Sequence, residues 1–199
     1  MPANAIINFK AIEAKVFASP AYQKKVGVIA LKRARRFFIP RKRKFMARFY
    51  EHPVSREISA GKNASNTSGI IVGDGNLFSF IGFNSGDAPV QTLGAFLDSF
   101  INLKKIKYNK ARGEWKFRVT LPSQKDVLAV SSIPWQPGAS WAYEIEKGIA
   151  GIGHYLQTNN VRSRSGGGIQ VKGQVRTPTP TRAKYLRTML RDLRRDLKK

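Results

Sequence analysis

Residues 22–50, YQKKVGVIALKRARRFFIPRKRKFMARFY, constrain this chain more than any other stretch. Lys24, Lys25, Lys32, Arg33, Arg35, Arg36, Arg41, Lys42, Arg43, Lys44 and Arg48 make eleven cations within 25 residues. They are interleaved with Val26, Ile29, Leu31, Phe37, Phe38, Ile39, Phe45 and Met46, so the segment must bury one face and present another to water or to an anion. Ser19 before Pro20 predicts a helix start, because a serine oxygen caps free backbone N–H groups and proline at the first helical position loses no hydrogen bond. The helix is expected to reach about Phe38. Pro40 cannot donate and disfavours helical backbone at Ile39, so a kink and a second helical piece are expected, starting near Arg41 and ending before Pro53. Tyr22, Val26, Ile29, Ala30, Ala34 and Phe37 follow helical spacing as one apolar stripe, with Lys25, Lys32, Arg35 and Arg36 on other faces.

Composition bounds the rest. With 199 residues, 42% hydrophobic and 11% aromatic, the chain is long and apolar enough for one domain with a real core, with or without appended arms. The expected divisions are a basic helical arm over 1–60, an α+β core over 61–176 and a basic amphipathic helix over 177–199. A net charge of +24 repels itself and attracts polyanions. No apolar run approaches the length that spans a bilayer, and the first ten residues lack the pattern of a signal peptide. The chain therefore reads as intracellular and soluble. The absence of cysteine excludes disulfides, thiol nucleophiles and thiolate metal sites.

Ile6, Phe9, Ile12 and Val16 have the spacing of a first helix over residues 3–17. A short helix over 54–60 leads into a Gly, Asn and Ser-rich loop. Residues 70–83 read as a β-hairpin around Gly73-Asp74-Gly75-Asn76. Asp87 is then expected to cap a helix that carries Val90, Leu93, Phe96, Leu97, Phe100 and Ile101 and covers the sheet. Residues 104–121 alternate as a second hairpin, with Trp115, Phe117 and Val119 on one face and Lys116 and Arg118 on the other. Ser123 and Asp126 predict a capped helix ending near Val130. Trp135 sits in a proline-rich loop, and in residues 141–155 Trp141 to Glu146 alternate as a strand before a glycine-broken turn. Residues 162–168, RSRSGGG, read as a mobile loop before a last strand over 169–175. Leu186, Leu190, Leu193 and Leu197 then line a C-terminal helix among eight Lys and Arg of residues 182–199.

Catalytic chemistry is not indicated. His52 and His154 stand far apart, each without a second metal ligand at helical or hairpin spacing, and both read as structural. Glu144 and Glu146 would share a strand face as paired catalytic carboxylates sometimes do, but among so many cations an ion-paired or interface role is favoured. The glycine pairs at 73–75 and 151–153 complete no phosphate-binding motif. Gly166, Gly167 and Gly168 beside Arg162 and Arg164 have the composition to clasp a phosphate or to form a flexible loop. For the basic helices two partners stand open: nucleic acid, held through phosphates without base reading, and an acidic protein surface. No cofactor or metal is expected, and a membrane is the weakest of the candidate partners.

The order and character of the segments are similar to a known group. A basic helical arm, NASNTSG before GIIVGDGNLFSFIGF, then PWQPGASWAYEIEKGIAGIGHYL, SRSGGGIQ and a closing YLRTMLRDLRRDLKK resemble the tail-completion or tail-terminator proteins of tailed bacteriophages, most closely in WAYEIEKG. The resemblance covers most of the chain, with a longer second hairpin and a more basic arm than the group has. It implies an α+β fold, a twisted and mostly antiparallel sheet flanked by helices. It also implies a virion protein without enzymatic activity, forming a ring of six that caps the tail tube and meets the head connector, its basic residues facing packaged DNA or acidic rings. Phe78, Phe80, Trp135, Trp141, Tyr143, Glu144 and Glu146 would then supply the ring interface. A free-standing, sequence-independent nucleic-acid-binding protein is the alternative, and an enzyme comes third.

Overall fold

The computed structural model describes residues 9–71, 75–109, 112–133, 136–147, 154–158, 161–175 and 183–198. Helix α1 (Phe9–Ala18) is followed by α2 (Pro20–Glu51), and Ser19 serves both. Its hydroxyl donates to the Val16 carbonyl at 2.9 Å and accepts the Tyr22 N–H at 3.3 Å. Residues 3–8 of the expected first helix lie outside the described residues. The expected break at Pro40 is not found, and α2 continues through it for 32 residues. An interior proline costs about 3 kcal/mol. Phe38, Phe45 and Phe49 are all buried at i, i+7 and i+11, and each such side chain contributes about 1.5–3 kcal/mol, so an unbroken stripe outweighs one missing donor. The stripe itself is shifted from the expected one. Val26, Ala30 and Ala34 are partly buried, but Phe38 continues the row in place of Phe37, and Ile29 is 68% exposed.

The chain divides into two compact units, Met1–Pro40 with Asn102–Thr120, and Arg41–Ile101 with Leu121–Lys199. These bounds differ from the arm, core and tail expected from composition, because contacts distant in sequence decide them. In the first unit the predicted second hairpin forms from β1 (Asn102–Asn109) and β2 (Glu114–Thr120). Tyr108 meets Trp115 across it, ring centroids 5.2 Å apart. The turn passes so close to α1 that a β-carbon on Gly113 would stand 3.7 Å from the Phe17 ring.

The second unit holds α3 (Pro53–Ser59), α4 (Leu77–Ile81), α5 (Pro89–Phe100), α6 (Gln124–Val130), β3 (Ser132–Ile133), β4 (Gln136–Ser140), α7 (Trp141–Lys147), β5 (His154–Thr158), β6 (Gly168–Val175) and α8 (Leu186–Asp196). The class is α+β, as expected. The described strands of the whole chain, however, form three separate two-stranded antiparallel ribbons, β1–β2 in the first unit and β3–β4 and β5–β6 in the second, and α5 packs on α3 and α6. Two expected strands are helices. At residues 77–81 local capping overrides β propensity: the Asn76 side chain accepts the Ser79 N–H at 2.9 Å, the Glu57 carboxylate accepts the Leu77 N–H at 2.7 Å, and Gly82 ends the turn at φ 78°. At 141–147 the apparent alternation dissolves, since Trp141, Ala142, Tyr143 and Ile145 are all buried, which suits a helix enclosed on most sides. Asp87 does not cap α5; its carboxylate accepts the Asn84 N–H at 2.7 Å. Ser123 and Asp126 do form the expected capping box at α6.

Tyr185 is the centre of this unit's core. Its fully buried ring lies 6.0 Å from Phe49 of α2, 6.2 Å from Trp141 of α7 and 4.9 Å from His52. Its hydroxyl shares a 2.7 Å hydrogen bond with buried Ser55 of α3, and burial pushes its pKa far above the usual value. Glu146 of α7 fixes the start of α8 by accepting the N–H groups of Tyr185 at 2.6 Å, Thr188 at 3.0 Å and Arg187 at 3.2 Å. A carboxylate facing free N–H groups at a helix start is well placed for the helix dipole as well. In urea denaturation, Tyr185→Phe should cost about 1–2 kcal/mol by orphaning the Ser55 hydroxyl, and Glu146→Ala about 1–3 kcal/mol by freeing three backbone donors. Changes below about 0.5 kcal/mol in both would show that α8 is held otherwise.

Candidate nucleic-acid interface

The cations singled out in the sequence divide into two groups. On the first part of α2, Lys24, Lys25, Lys32, Arg33, Arg35 and Arg36 are all exposed. Val28, Leu31, Ile39 and Pro40 join Lys32, Arg35 and Arg36 in lining an open hollow along this stretch. Val28, Ile29, Phe37 and Ile39 leave apolar surface exposed among the charges.

Beyond Pro40, several cations are used to build the fold. Arg41 Nε donates to the Asp196 carbonyl at 3.1 Å, so its charge sits at the C-terminal end of α8 where the helix dipole is negative. Lys42 pairs with Asp98 of α5 at 2.9 Å and also donates to that residue's carbonyl. Arg48 Nη1 pairs with Asp192 of α8 at 2.9 Å, and Arg195 approaches the same carboxylate at 3.2 Å. The hydrogen bond from Arg48, with the neighbouring Arg195 and Arg191 charges, holds the Asp192 carboxyl below its usual range. Phe45, Met189 and Leu193 close the seam between α2 and α8. Arg43 and Lys44 stay exposed. The run 41–44 is therefore two structural and two outward cations, not one basic patch.

A row that the sequence reading did not assign lies on α8. Leu186, Met189 and Leu193 are buried, while Arg187, Arg191, Arg194, Arg195 and Lys198 are exposed at i, i+4, i+7, i+8 and i+11. The leucine spacing that marked the helix also fixed where its cations point. Arg187 additionally lies over the Tyr143 ring, 5.4 Å from its centroid, a cation–π contact that orients the guanidinium. Together with Arg43 and Lys44, this row gives the second unit a polycationic surface. Such a surface can neutralise phosphates.

The glycine loop is a compact turn. Gly166, Gly167 and Gly168 donate their N–H groups to the Ser163 carbonyl, the Ser165 hydroxyl and the Ser163 hydroxyl at 3.0, 3.1 and 3.1 Å. None is left to clasp a phosphate. A β-carbon on Gly167 would stand 2.3 Å from Ser79 Oγ and 3.2 Å from the Lys62 carbonyl oxygen, so close packing explains that glycine. Arg162 and Arg164 lie on the turn's exposed side.

The expected ring-interface aromatics are not at the surface. Phe78, Phe80 and Trp141 are 2%, 1% and 1% exposed, and Tyr143 is also buried. The capped helix α4 and the enclosed helix α7 turn these residues inward, where two-faced strands would have left some of them outside. Trp135 lies outside the described residues. Glu144 pairs with Lys147 at 2.8 Å, as the ion-paired reading expected, and Glu146 is spent on α8. Buried Glu57, which the sequence reading passed over, accepts the Ser68 and Leu77 N–H groups at 2.9 and 2.7 Å and has a structural role.

His52 is also built into the fold. Its Nδ1 accepts the Val54 N–H at 3.2 Å as the N-cap of α3, and Nε2 faces the Lys184 carbonyl at 3.0 Å. Burial, with the nearby Arg48 charge, lowers its pKa below 6.5, against the opposing pull of the Lys184 carbonyl. Only the backbone of His154 is described, in β5. Among the described residues no group of His, Asp and Glu is arranged to hold a metal ion, and no helix is long and apolar enough to cross a membrane.

No protein-family model, curated protein or solved structure matches this chain. Two outcomes test the division of the cations. Arg43→Gln with Lys44→Gln should leave thermal stability unchanged, whereas Arg41→Ala with Lys42→Ala should lower it by about 1–2 kcal/mol, since a helix-end bond and an ion pair are lost; equal effects would contradict the assignment. For His52, the folded pKa lies below the unfolded one, so the neutral ring contributes stability that is fully present above about pH 6.5 and is lost as pH falls toward the lowered value. Melting temperatures across pH 7.5 to 5 should fall more steeply for the native chain than for His52→Asn, which keeps a cap acceptor; parallel curves would contradict it.

Proposed function

We propose that this chain is a structural protein of the head–tail neck of a tailed bacteriophage, a tail-terminator or tail-completion protein that faces DNA through its basic surface without reading sequence. The observation that carries the DNA-facing part is the direction of the charges. Asp98, Asp192, Glu144, Glu146 and Glu57 are spent on internal bonds, while the α8 row and the first part of α2 point outward. The neck placement rests on the order of segments, from the basic arm through WAYEIEKG to the closing basic helix. An absence of catalysis accords with the structural use of His52 and Glu146.

In this reading the chain forms a homo-oligomeric ring of six that closes the tail tube and joins the head connector. Phe78, Phe80 and Trp141 cannot make its contacts from the core. The exposed apolar residues Val28, Ile29 and Ile39 on α2 are the surface that serves. A protein interface buries such side chains within a polar rim, and Lys32, Arg35 and Arg36 provide one. The second reading, a free-standing nucleic-acid-binding protein in the host cytoplasm, is favoured by the burial of the aromatics that an assembly surface would have used.

Mass measurement at moderate salt, followed by electron microscopy, separates the two. The neck reading expects a ring, and expects Val28→Ser with Ile29→Ser to dissociate it without lowering the melting temperature of the subunit, since both residues are exposed. A protein that stays monomeric and never caps a tail tube would leave only the second reading.

A further inference from the structure

Among the described residues no carboxylate pairs with the charge on the outer face of the β1–β2 hairpin. In the observed register Lys104 stands opposite Arg118, and Lys107 opposite Lys116. All four are exposed, as is Arg112 in the turn. Like charges directly across a strand pair weaken it. Among the described residues none of these five is ion-paired with a carboxylate, and Glu114 stands opposite Asn109.

The arrangement also requires a departure from regular pairing. Lys104 and Lys107 are three residues apart, so an uninterrupted strand would send them to opposite faces. The register shifts between Lys105 and Lys107, and this one-residue bulge brings both lysines to the outer face. The other face keeps Tyr108, Trp115, Phe117 and Val119 partly buried. The hairpin thus gathers two lysine-containing pairs into a block of four cations, in an arrangement that opposes its own pairing.

We infer that this block is a second binding site for double-stranded DNA, engaging the phosphate backbone. The inference rests on the DNA-facing reading above and adds a surface which that reading does not use. An acidic protein partner fits less well, because protein interfaces centre on apolar and aromatic anchors with charges toward the rim. The described outward positions here, Lys104, Lys107, Arg112, Glu114, Lys116 and Arg118, include no such anchor. Phosphates need none, since Lys and Arg supply most backbone contacts. A two-stranded ribbon is also of a width that the major groove of B-form DNA admits.

The test uses the full chain and short duplexes of unrelated sequence, with affinity measured against salt concentration. Lys107→Glu with Arg118→Glu turns both like-charge pairs into opposite-charge pairs, so the melting temperature should hold or rise while the log–log salt slope shrinks by about 2 to 4. Lys116→Gln with Arg118→Gln removes charge without adding acid and should shrink the slope by about 2. Arg191→Gln with Arg194→Gln on α8 serves as the reference. Unchanged slopes in both hairpin variants, with a reduced slope in the α8 variant, would overturn the hairpin site and leave the DNA-facing reading standing. No duplex binding by the native chain would overturn both. Equal or tighter binding to poly-glutamate, lost in the same hairpin variants, would assign the face to an acidic protein and overturn the inference. A lower melting temperature in both hairpin variants would show that the cations hold the fold, and would overturn it too.

Discussion

Thirty-six cations against twelve acids is the constraint that this fold satisfies first. An excess of that size works against any compact state, and the second unit answers it by spending its few carboxylates where they hold elements together. Glu146 secures the start of α8 and Asp192 fastens that helix to α2. Asp98 fastens α5 to α2, while Glu57 holds the entry to α4. Removing an acid from this chain is therefore expected to cost more than removing an exposed cation. The unspent charge is what remains for a partner.

This division of labour places the aromatic residues as well. A chain that keeps its surface cationic needs a dense apolar interior, and Phe49, Trp141, Tyr185 and His52 form a stack inside the second unit, tied to Ser55 by one buried hydroxyl pair. Its outer surface keeps exposed cations on the later part of α2 and on α8, through which the proposed partner would be met. A partner bound in this way is sensitive to ionic strength and tolerant of sequence.

Much of the helical framework was legible in the sequence, because capping and periodicity are local. Ser19, the Ser123–Asp126 box and the leucine row of α8 each acted as their spacing indicated. The β1–β2 hairpin was equally readable from its alternation. What was not legible depended on distant partners. Residues 77–81 look like a strand until Glu57, twenty positions earlier, joins the Asn76 cap in holding the first turn. Residues 141–147 alternate on paper but are enclosed by α8 and β4. Pro40 is a helix breaker on local rules, yet α2 runs through it, with Phe38, Phe45 and Phe49 buried along its length. Of the candidate site, the α2 cations were found by composition alone. The separation of Arg41 and Lys42 from Arg43 and Lys44 needed the positions of Asp196 and Asp98, and the bulge that collects the hairpin lysines has no signature in the residues around it.

The central claim is that the charge surplus of this chain is matched to a polyphosphate and not to a particular base sequence. Its most direct test is the affinity of the native protein for two duplexes of equal length and unrelated sequence, followed over a range of salt concentrations. The account expects near-equal affinities and one steep line, falling by about 0.9 log units per decade of salt for each phosphate neutralised. A shallow line, or a preference of tenfold or more for one duplex, would contradict it.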